Sequence, residues 1–529
     1  THYQLLNTLQ LSRKDVNKFL QQSFDYMNKL NTDIDVFKYH IKCQPYNDIN
    51  PQNMNDLIYT MLSICPKFEN TDIFTSFKNS LVRAYRKNLK KGHVLVNGNY
   101  SVLFGNPLEM LQHSIGKFVP NNSSLIKNEV YNTRFADKQE LLCCRSPHVT
   151  IGNIFIAKNK HVNLIKRYFN LTDEIICINS INENVLERLS GCDFDSDQML
   201  ITDNQILLDA AKKNYKFFKV PTSNVHARKV QRRYTPDDQA DLDIKTSNNL
   251  IGEIINLSQQ LNTQLWNIAN NSNLTIQELY ETDIEFRELY FDICQLDVMS
   301  CIEIDKAKKE FDVDSKAEIK KIQNRHNEID EETGLKKQAY FLGVISKIKG
   351  YEEKKNVSYT FFDTTMDYLE QEINDFNPAR CKKNRILLSD LFKPVNYNKN
   401  LVNKKQIAAI RQLLSKLSLD KIQIMKLDKY TYSHDAKYNL FNNEKQKIYK
   451  SMSQYKINEH TRYRLLKYID VDKIKEKSYL FEFLFYHTDL INTYASEHLY
   501  NNVVLKIANE DVSTDKIELY GIDYFKKSV

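Results

Sequence analysis

The sequence is poor in residues that bend or break a chain, with 11 glycines and 10 prolines among 529 residues. No Gly/Ser-rich or Pro-rich linker separates domains, so boundaries have to be read from changes of pattern. No apolar run approaches the roughly 18 residues that argue for a membrane-crossing helix, and no membrane partner is expected. The start, Thr1-His2-Tyr3-Gln4-Leu5-Leu6, has no basic stretch ahead of an apolar core, which argues against a signal peptide. It also lacks an initiator Met, so the chain is expected to be part of a longer or processed polypeptide. The nine cysteines contain no C-x-x-C, and their one close pair is Cys143-Cys144. That spacing argues against structural zinc and for a reducing compartment, expected to be the cytoplasm.

What is present is mildly basic and rich in helix signals. Lys and Arg number 74 against 67 Asp and Glu, a net charge of +7 that suits a polyanionic partner without requiring one. Residues 1–91 read as helical. Ser12 offers an N-cap ahead of Val16, Phe19 and Leu20, and a helix over 77–89 ends in basic residues before Gly92. The pattern then turns β-branched and aromatic around Asn97-Gly98, a hairpin signal. Further strands are expected at 140–144, 149–157, 174–179 and 199–202. Helices do not alternate regularly with these strands, so a small barrel or compact sheet fits better than a doubly wound one. Helix returns near 245. Leu250, Ile254, Leu257, Leu261 and Leu265 lie on one stripe, with Trp266 most simply core, and helices are expected over 284–311 and 315–332. The remainder is mostly helical, polar and without repeats. The class is α+β.

The most informative stretch is Ser190-Gly191-Cys192-Asp193-Phe194-Asp195-Ser196-Asp197. On a strand, alternate residues share a face, and in a tight loop they converge; either way three carboxylates gather. Each like-charge pair at about 4 Å costs roughly 4 kcal/mol at an effective dielectric near 20. A bound cation removes that cost, and oxygen-only ligands select a hard ion, Mg²⁺ or Mn²⁺. Such an ion activates a 3′-hydroxyl and holds triphosphate oxygens. A solvated acidic loop is the bland alternative, but Leu189, Phe194, Met199, Leu200 and Ile201 set the cluster against a core. A calcium-binding EF-hand loop fails on spacing, because Gln198 and Asn204 stand where Gly and Glu are required.

Taken in order, these segments resemble the two-barrel RNA polymerase superfamily. The likeness is closest to the cell-encoded RNA-dependent RNA polymerases of RNA silencing and extends to single-chain phage RNA polymerases. It spans roughly 55–310. Gly98 to Gly105 resembles a barrel strand, and Arg145-Ser146-Pro147-His148-Val149-Thr150-Ile151-Gly152-Asn153-Ile154 resembles the R-x-P…H-P-G-D-[IV] segment. The aspartate stretch resembles the S-G-x-D-x-D-G-D metal loop. Leu250 to Ile254 and Ser300 to Lys306 are similar to two later helical segments. Ser196 stands where the pattern has Gly, and Asn153 where it has Asp.

The resemblance implies a double-psi β-barrel catalytic core with extensive helical domains. It divides the chain into a helical segment (1–91), the remainder of a first barrel with the hairpin (92–139), a second barrel with the metal loop (140–225), a helical region beside the active site (226–345) and a C-terminal helical domain (346–529). The rest of the first barrel would come from upstream residues or a partner subunit. Asp193, Asp195 and Asp197 would hold the metal. Arg145, Lys91, Asp305 and Lys306 would contact nucleoside triphosphate, and the basic run Arg228, Lys229, Arg232 and Arg233 would grip nucleic acid. For Lys91, Asp305, Lys306 and the basic run, solvated charge or a salt bridge is the plainer reading. His148 reads best as a packing residue. The implied activity is template-directed RNA synthesis, with an RNA template favoured over DNA. The alternatives are a DNA-directed phage-type polymerase and a non-catalytic nucleic-acid-binding relative, to which Ser196 points. A nuclease has less support, since no His or Glu near the loop looks like a general base.

Overall fold

The computed structural model describes residues 1–42, 54–228, 231–246, 249–306, 310–348, 357–379, 384–428, 431–471, 476–487, 503–507 and 516–528. The chain forms two compact units. The first comprises Thr1–Ser23 and Arg86–Asn377, the second Phe24–Tyr85 and Pro378–Val529.

The centre of the first unit is a closed six-stranded barrel of β1 (Gly98–Phe104), β2 (Glu129–Tyr131), β3 (Glu140–Cys144), β4 (Phe155–Asn159), β5 (Ile175–Ile178) and β6 (Gln198–Thr202). The order around it is β1-β5-β2-β4-β3-β6, with β1/β5 and β2/β4 parallel and the other pairs antiparallel. Alternation explains the closure. Leu141 and Cys143, Phe155 and Ala157, Ile176 and Ile178, and Met199 and Ile201 all point to one core, each burial being favourable by roughly 1.5–3 kcal/mol for the larger side chains. Closure also removes exposed strand edges.

Two expectations change here. Residues 94–97 carry no strand, so Asn97-Gly98 opens β1 instead of turning a hairpin. Gly98 pairs with Thr202 of β6, and the Asn97 amide donates to both Asp203 carboxylate oxygens at 3.0 and 2.9 Å, which spends the turn chemistry on a long-range pairing. Strands from both sides of residue 139 therefore share one barrel. Within 149–157, the first half is not strand either: Thr150 caps a short 3-10 helix, Ile151–Asn153, and β4 begins only at Phe155.

Two long helices, Ile251–Asn271 and Ile284–Asp305, lie together beside the barrel. The first buries Ile254, Leu257, Leu261, Leu265 and Trp266 as its periodicity predicts. Its buried polar stripe has a second task. Gln259 donates to the carbonyl of His148 at 3.0 Å and Asn262 to that of Val149 at 2.8 Å, pinning the segment that follows Arg145. His148 is packing, as expected: it is fully buried, shares a 2.8 Å hydrogen bond with Thr8, and burial pushes its pKa down to about 3. A parallel pair, β7 (Lys336–Ala339) and β8 (Val357–Thr360), follows.

The second unit packs helices around Phe37, Phe74 and Leu484, with the Phe68 and Phe481 rings stacked 5.8 Å apart. Its buried ion pair, Lys445–Glu482 at 2.8 Å, is completed by the Tyr449 hydroxyl, which donates to Glu482 at 3.1 Å. The chain also carries a small antiparallel sheet the sequence did not announce: β9 (Val503–Ile507), β10 (Lys516–Leu519) and β11 (Ile522–Ser528), in the order β10-β11-β9. Among the described residues no helix is long and apolar enough to cross a membrane.

Candidate metal centre

The three aspartates lie on the loop between the short helix Val185–Arg188 and β6. Positive φ at Ser190 (56°), Gly191 (64°) and Ser196 (97°) makes this a tight loop rather than a strand. Its own carboxylates brace it. Asp193 N–H donates to Asp197 Oδ2 at 2.9 Å, and Asp195 N–H to Asp193 Oδ1 at 3.3 Å. The Asp197 carbonyl accepts from Leu103 N–H of β1 at 2.8 Å, which ties the end of the loop to the barrel. One oxygen from each of Asp193, Asp195 and Asp197 falls within 4.8 Å of the others. Asp193 and Asp195 are exposed and Asp197 is half-buried, so the cluster faces outward from an apolar base of Leu189, Cys192 and Met199.

Arg145 enters this site as a brace. It is buried, and its Nη2 donates to Asp197 Oδ1 at 2.8 Å. Its Nη1 donates to the carbonyl of Ser190 at 3.0 Å and lies 3.4 Å from that of Leu189. One planar fork thus holds both the backbone that enters the loop and the last carboxylate, a geometry an ammonium group does not reproduce. The end of helix Ile284–Asp305 closes the other side. A Cβ placed on Gly191 would sit 3.4 Å from Cys301 Sγ, and the positive φ also favours glycine there. Asp305 and Lys306 therefore end a helix that borders the loop. Lys306 lies 3.5 Å from Glu303, whose buried carboxylate also accepts the Ser315 hydroxyl at 2.7 Å and the Leu250 N–H at 3.3 Å.

The remaining candidates lie elsewhere. Lys91 follows helix Asp72–Lys90, its N–H on Asn88; burial and then Lys87 pull its pKa down. The basic run is met by acids. Arg228 pairs with Asp312, and Arg232 pairs with Asp241 at 2.6 Å and with Glu310. The Arg233 N–H donates to Asp238 at 2.7 Å, and Lys229 lies outside the described residues.

Three features here had no sequence signal. Glu303 is one. Asp297 is another: it is buried on helix Ile284–Asp305, accepts from Asn153 at 3.2 Å, and is pushed up to about 7 by burial. The third is the position of the Phe194 ring against Gly105.

Comparison with known proteins gives one family and one similar solved structure. The family model described as RNA dependent RNA polymerase matches residues 3–340, well over half of the chain. No curated protein matches. Among solved structures the chain is similar to the RNA dependent RNA polymerase QDE-1 from Thielavia terrestris, at 11% identity and a TM-score of 0.48. That likeness covers 94% of this chain and 56% of the other, so this chain spans little more than half the length of that structure. The matched span contains the whole barrel, the aspartate loop and both bordering helices, and the chain belongs to the RNA-dependent RNA polymerase family.

Proposed function

We propose that this chain carries the metal-binding half of an RNA polymerase that copies an RNA template from nucleoside triphosphates. The observation that carries the reading is the convergence of Asp193, Asp195 and Asp197 within 4.8 Å on a braced loop at one end of the barrel, inside the family match. Three carboxylates with no nitrogen or sulfur ligand fit a hard divalent cation, Mg²⁺ with Mn²⁺ as substitute. When bound, that cation activates the attacking 3′-hydroxyl and neutralises charge on the transferred phosphoryl group. The chain's own residues do the positioning. Asp197 is held by Arg145 and by the Asp193 N–H, so its carboxylate keeps one orientation while Asp193 and Asp195 face solvent. Arg145 acts through Asp197, and a remaining guanidinium N–H is its route to substrate phosphate. Lys91, Asp305 and Lys306 stay in the proposal as nucleotide contacts, and Arg228, Lys229, Arg232 and Arg233 as contacts to the nucleic-acid backbone.

The six-stranded barrel is read as the second of two double-psi barrels. Residues upstream of Thr1, or a partner subunit, complete the catalytic cleft. Free Cys143 and Cys144 thiols suit the cytoplasm. A second reading, a nucleic-acid-binding relative without catalysis, is favoured by one feature: Ser196 holds a φ of 97° between two of the ligands.

The test is RNA synthesis by the whole polypeptide with Mg²⁺, four NTPs and single-stranded RNA or DNA, beside Asp195→Asn. Calorimetric titration of both proteins with Mn²⁺ accompanies it. RNA-templated synthesis and metal binding, both lost in the variant, are expected. Synthesis on DNA alone makes the enzyme DNA-directed. RNA binding without synthesis and without metal binding leaves the non-catalytic relative.

A further inference from the structure

Helix Lys404–Met425 of the second unit presents two unlike faces. One buries Ile407, Ile410, Leu414 and Leu417 in the core. On the other, Leu419 is 60% exposed and Ile422 53%. Lys404, Arg411 and Ile422 fall on one line of the helix, because their spacings are close to two and three turns. Helix Glu459–Val471 runs beside it in the same direction. Asn403 N–H donates to the Thr461 hydroxyl at 2.9 Å, and further along both helices Arg411 lies 4.8 Å from the Tyr468 ring.

The cations on this pair of helices are gathered. Arg464 lies 5.2 Å from the same Tyr468 ring, so two guanidinium groups share one tyrosine. Lys467 lies 5.0 Å from the Tyr463 ring, which also packs on Tyr397. Among the described residues, no carboxylate pairs with Lys404, Arg411, Arg464 or Lys467. Asp470, the acid nearest in sequence to Lys467, is occupied by the N–H groups of Leu388 and Ser389 at 2.8 and 2.7 Å. Gathered cations without acids call for an anionic partner. Contact with the ring holds the guanidinium forks ready for a carboxylate or a phosphate.

The apolar residues decide between those two. Single-stranded RNA is gripped by cations together with open ring faces for its bases, but Tyr468 and Tyr463 already carry cations. An RNA backbone on Arg411 and Arg464 also leaves Leu419 and Ile422 in water. A protein helix with acids beside apolar side chains covers both, and a basic amphipathic face is the complement of such a helix. The face is long enough: 22 residues at 1.5 Å each give about 33 Å, some six turns of a docked helix.

We propose that this face docks a helical, acidic segment of a partner protein, with carboxylates on Arg411 and Arg464 and apolar side chains on Leu419 and Ile422. The docking does not depend on the polymerase reading of the first unit.

The test is selection on the whole chain from a phage-displayed library of random peptides about 16 residues long, after depletion on Arg411→Glu/Arg464→Glu. Enriched peptides are expected to be acidic, with apolar residues three or four positions apart. Fluorescence anisotropy of an enriched peptide is expected to show binding weakened at least about tenfold by Arg411→Glu/Arg464→Glu and, separately, by Ile422→Asp. These positions are exposed, so the variants are expected to keep the wild-type thermal midpoint. Leu419→Asp, at a second exposed position, is expected to repeat the Ile422→Asp result. No enrichment, enrichment of peptides without acids, or full binding by both aspartate variants overturns the proposal. So does duplex RNA, or a phosphatidylserine vesicle, that binds more tightly than the peptide and is weakened by the same variants, which makes nucleic acid or a membrane the occupant. Sedimentation of the wild-type chain as a dimer that Ile422→Asp splits makes the occupant a second copy and overturns it equally.

Discussion

Two charge clusters stand out in this chain, and the fold treats them in opposite ways. The acidic one, Asp193 to Asp197, is gathered: three carboxylates converge within 4.8 Å with Arg145 on Asp197, at a loop whose backbone is bent to bring them together. In the basic one, Arg228 to Arg233, two guanidinium groups are paired with acids. Asp312, Asp241 and Glu310 meet Arg228 and Arg232, and Asp238 accepts from the backbone of Arg233. Like charges brought together at an energetic cost mark a site where a counter-ion belongs, whereas charges already paired mark a surface that has settled its own electrostatics.

The largest expected effect tests that contrast directly. Asp195→Asn keeps the shape of the side chain and removes a charge, and is expected to lower RNA synthesis by about a hundred- to a thousandfold, the range seen when one transition-state-stabilising group is lost. The double variant Arg228→Ala/Arg232→Ala is expected to change synthesis less than tenfold, because its guanidinium groups already have carboxylate partners. Primer extension on an RNA template measures both. If the double variant is the more damaging, the basic run is the working surface and the comparison is reversed.

Next is Arg145→Lys. The charge stays, but the fork that joins Asp197 to the Ser190 carbonyl is lost. A fall of about ten- to a hundredfold in kcat is expected, with weaker Mn²⁺ binding. A rise in KM for nucleotide with kcat and Mn²⁺ affinity unchanged would instead make Arg145 a direct substrate contact.

The sequence showed the gathered cluster and could not show which acids pair with Arg228 and Arg232. Asp193, Asp195 and Asp197 are local, so spacing and apolar flanks suffice to find them. Five barrel strands were visible for the same reason: β3, β5 and β6 are mainly apolar runs, β4 begins in the second half of one, and β1 is the part of the expected hairpin that follows Asn97. The partners of Arg228 and Arg232 lie some 80 residues away in Glu310 and Asp312, and Arg145 meets Asp197 across 52 residues. Long-range hydrogen bonds also decided against the hairpin, since Asn97 bonds Asp203 and Gly98 pairs with Thr202. The β9–β11 sheet stayed hidden because its strands are short, and β10 and β11 carry Lys, Asp and Glu between their apolar positions. Phe194 read as an apolar flank, and only the fold shows its ring lying against Gly105.

A third kind of acid sharpens the contrast. Asp297 is buried on the helix that borders the loop, between Cys294 and Cys301, with Asn153 on Oδ2 and no partner on Oδ1 among the described residues. Burial raises its folded pKa to about 7, from 3.8 in an ordinary setting. Between those values the folded state holds the proton more tightly than the unfolded one. Stability is then full below the lower value and is lost as pH rises through the upper one. Asp297→Asn removes the slope. Its thermal midpoint is expected to exceed wild type at both pH 5 and pH 8, by clearly less at pH 5, where only part of the loss has occurred. An equal gap at both values would mean that the carboxyl does not titrate in this range.

The smallest effect concerns Ser196, inside the gathered cluster itself. At a φ of 97° a side chain costs of order 1 kcal/mol or more, while glycine adopts that conformation freely. Replacing serine by glycine also makes the unfolded chain more flexible, which takes back about 0.4–1 kcal/mol. The net gain in stability from Ser196→Gly is therefore expected to be about 1 kcal/mol or less, a shift of a few degrees at most in thermal midpoint. The relaxed loop is expected to bind Mn²⁺ a few-fold more tightly. Ser196→Ala is the decisive companion, since it removes the hydroxyl and keeps the strained φ. If alanine gains as much as glycine, the hydroxyl and not the backbone was the burden. If glycine loses both stability and metal affinity, Ser196 is a working part of the loop, and the strain at its centre is held for a purpose other than gathering the three carboxylates.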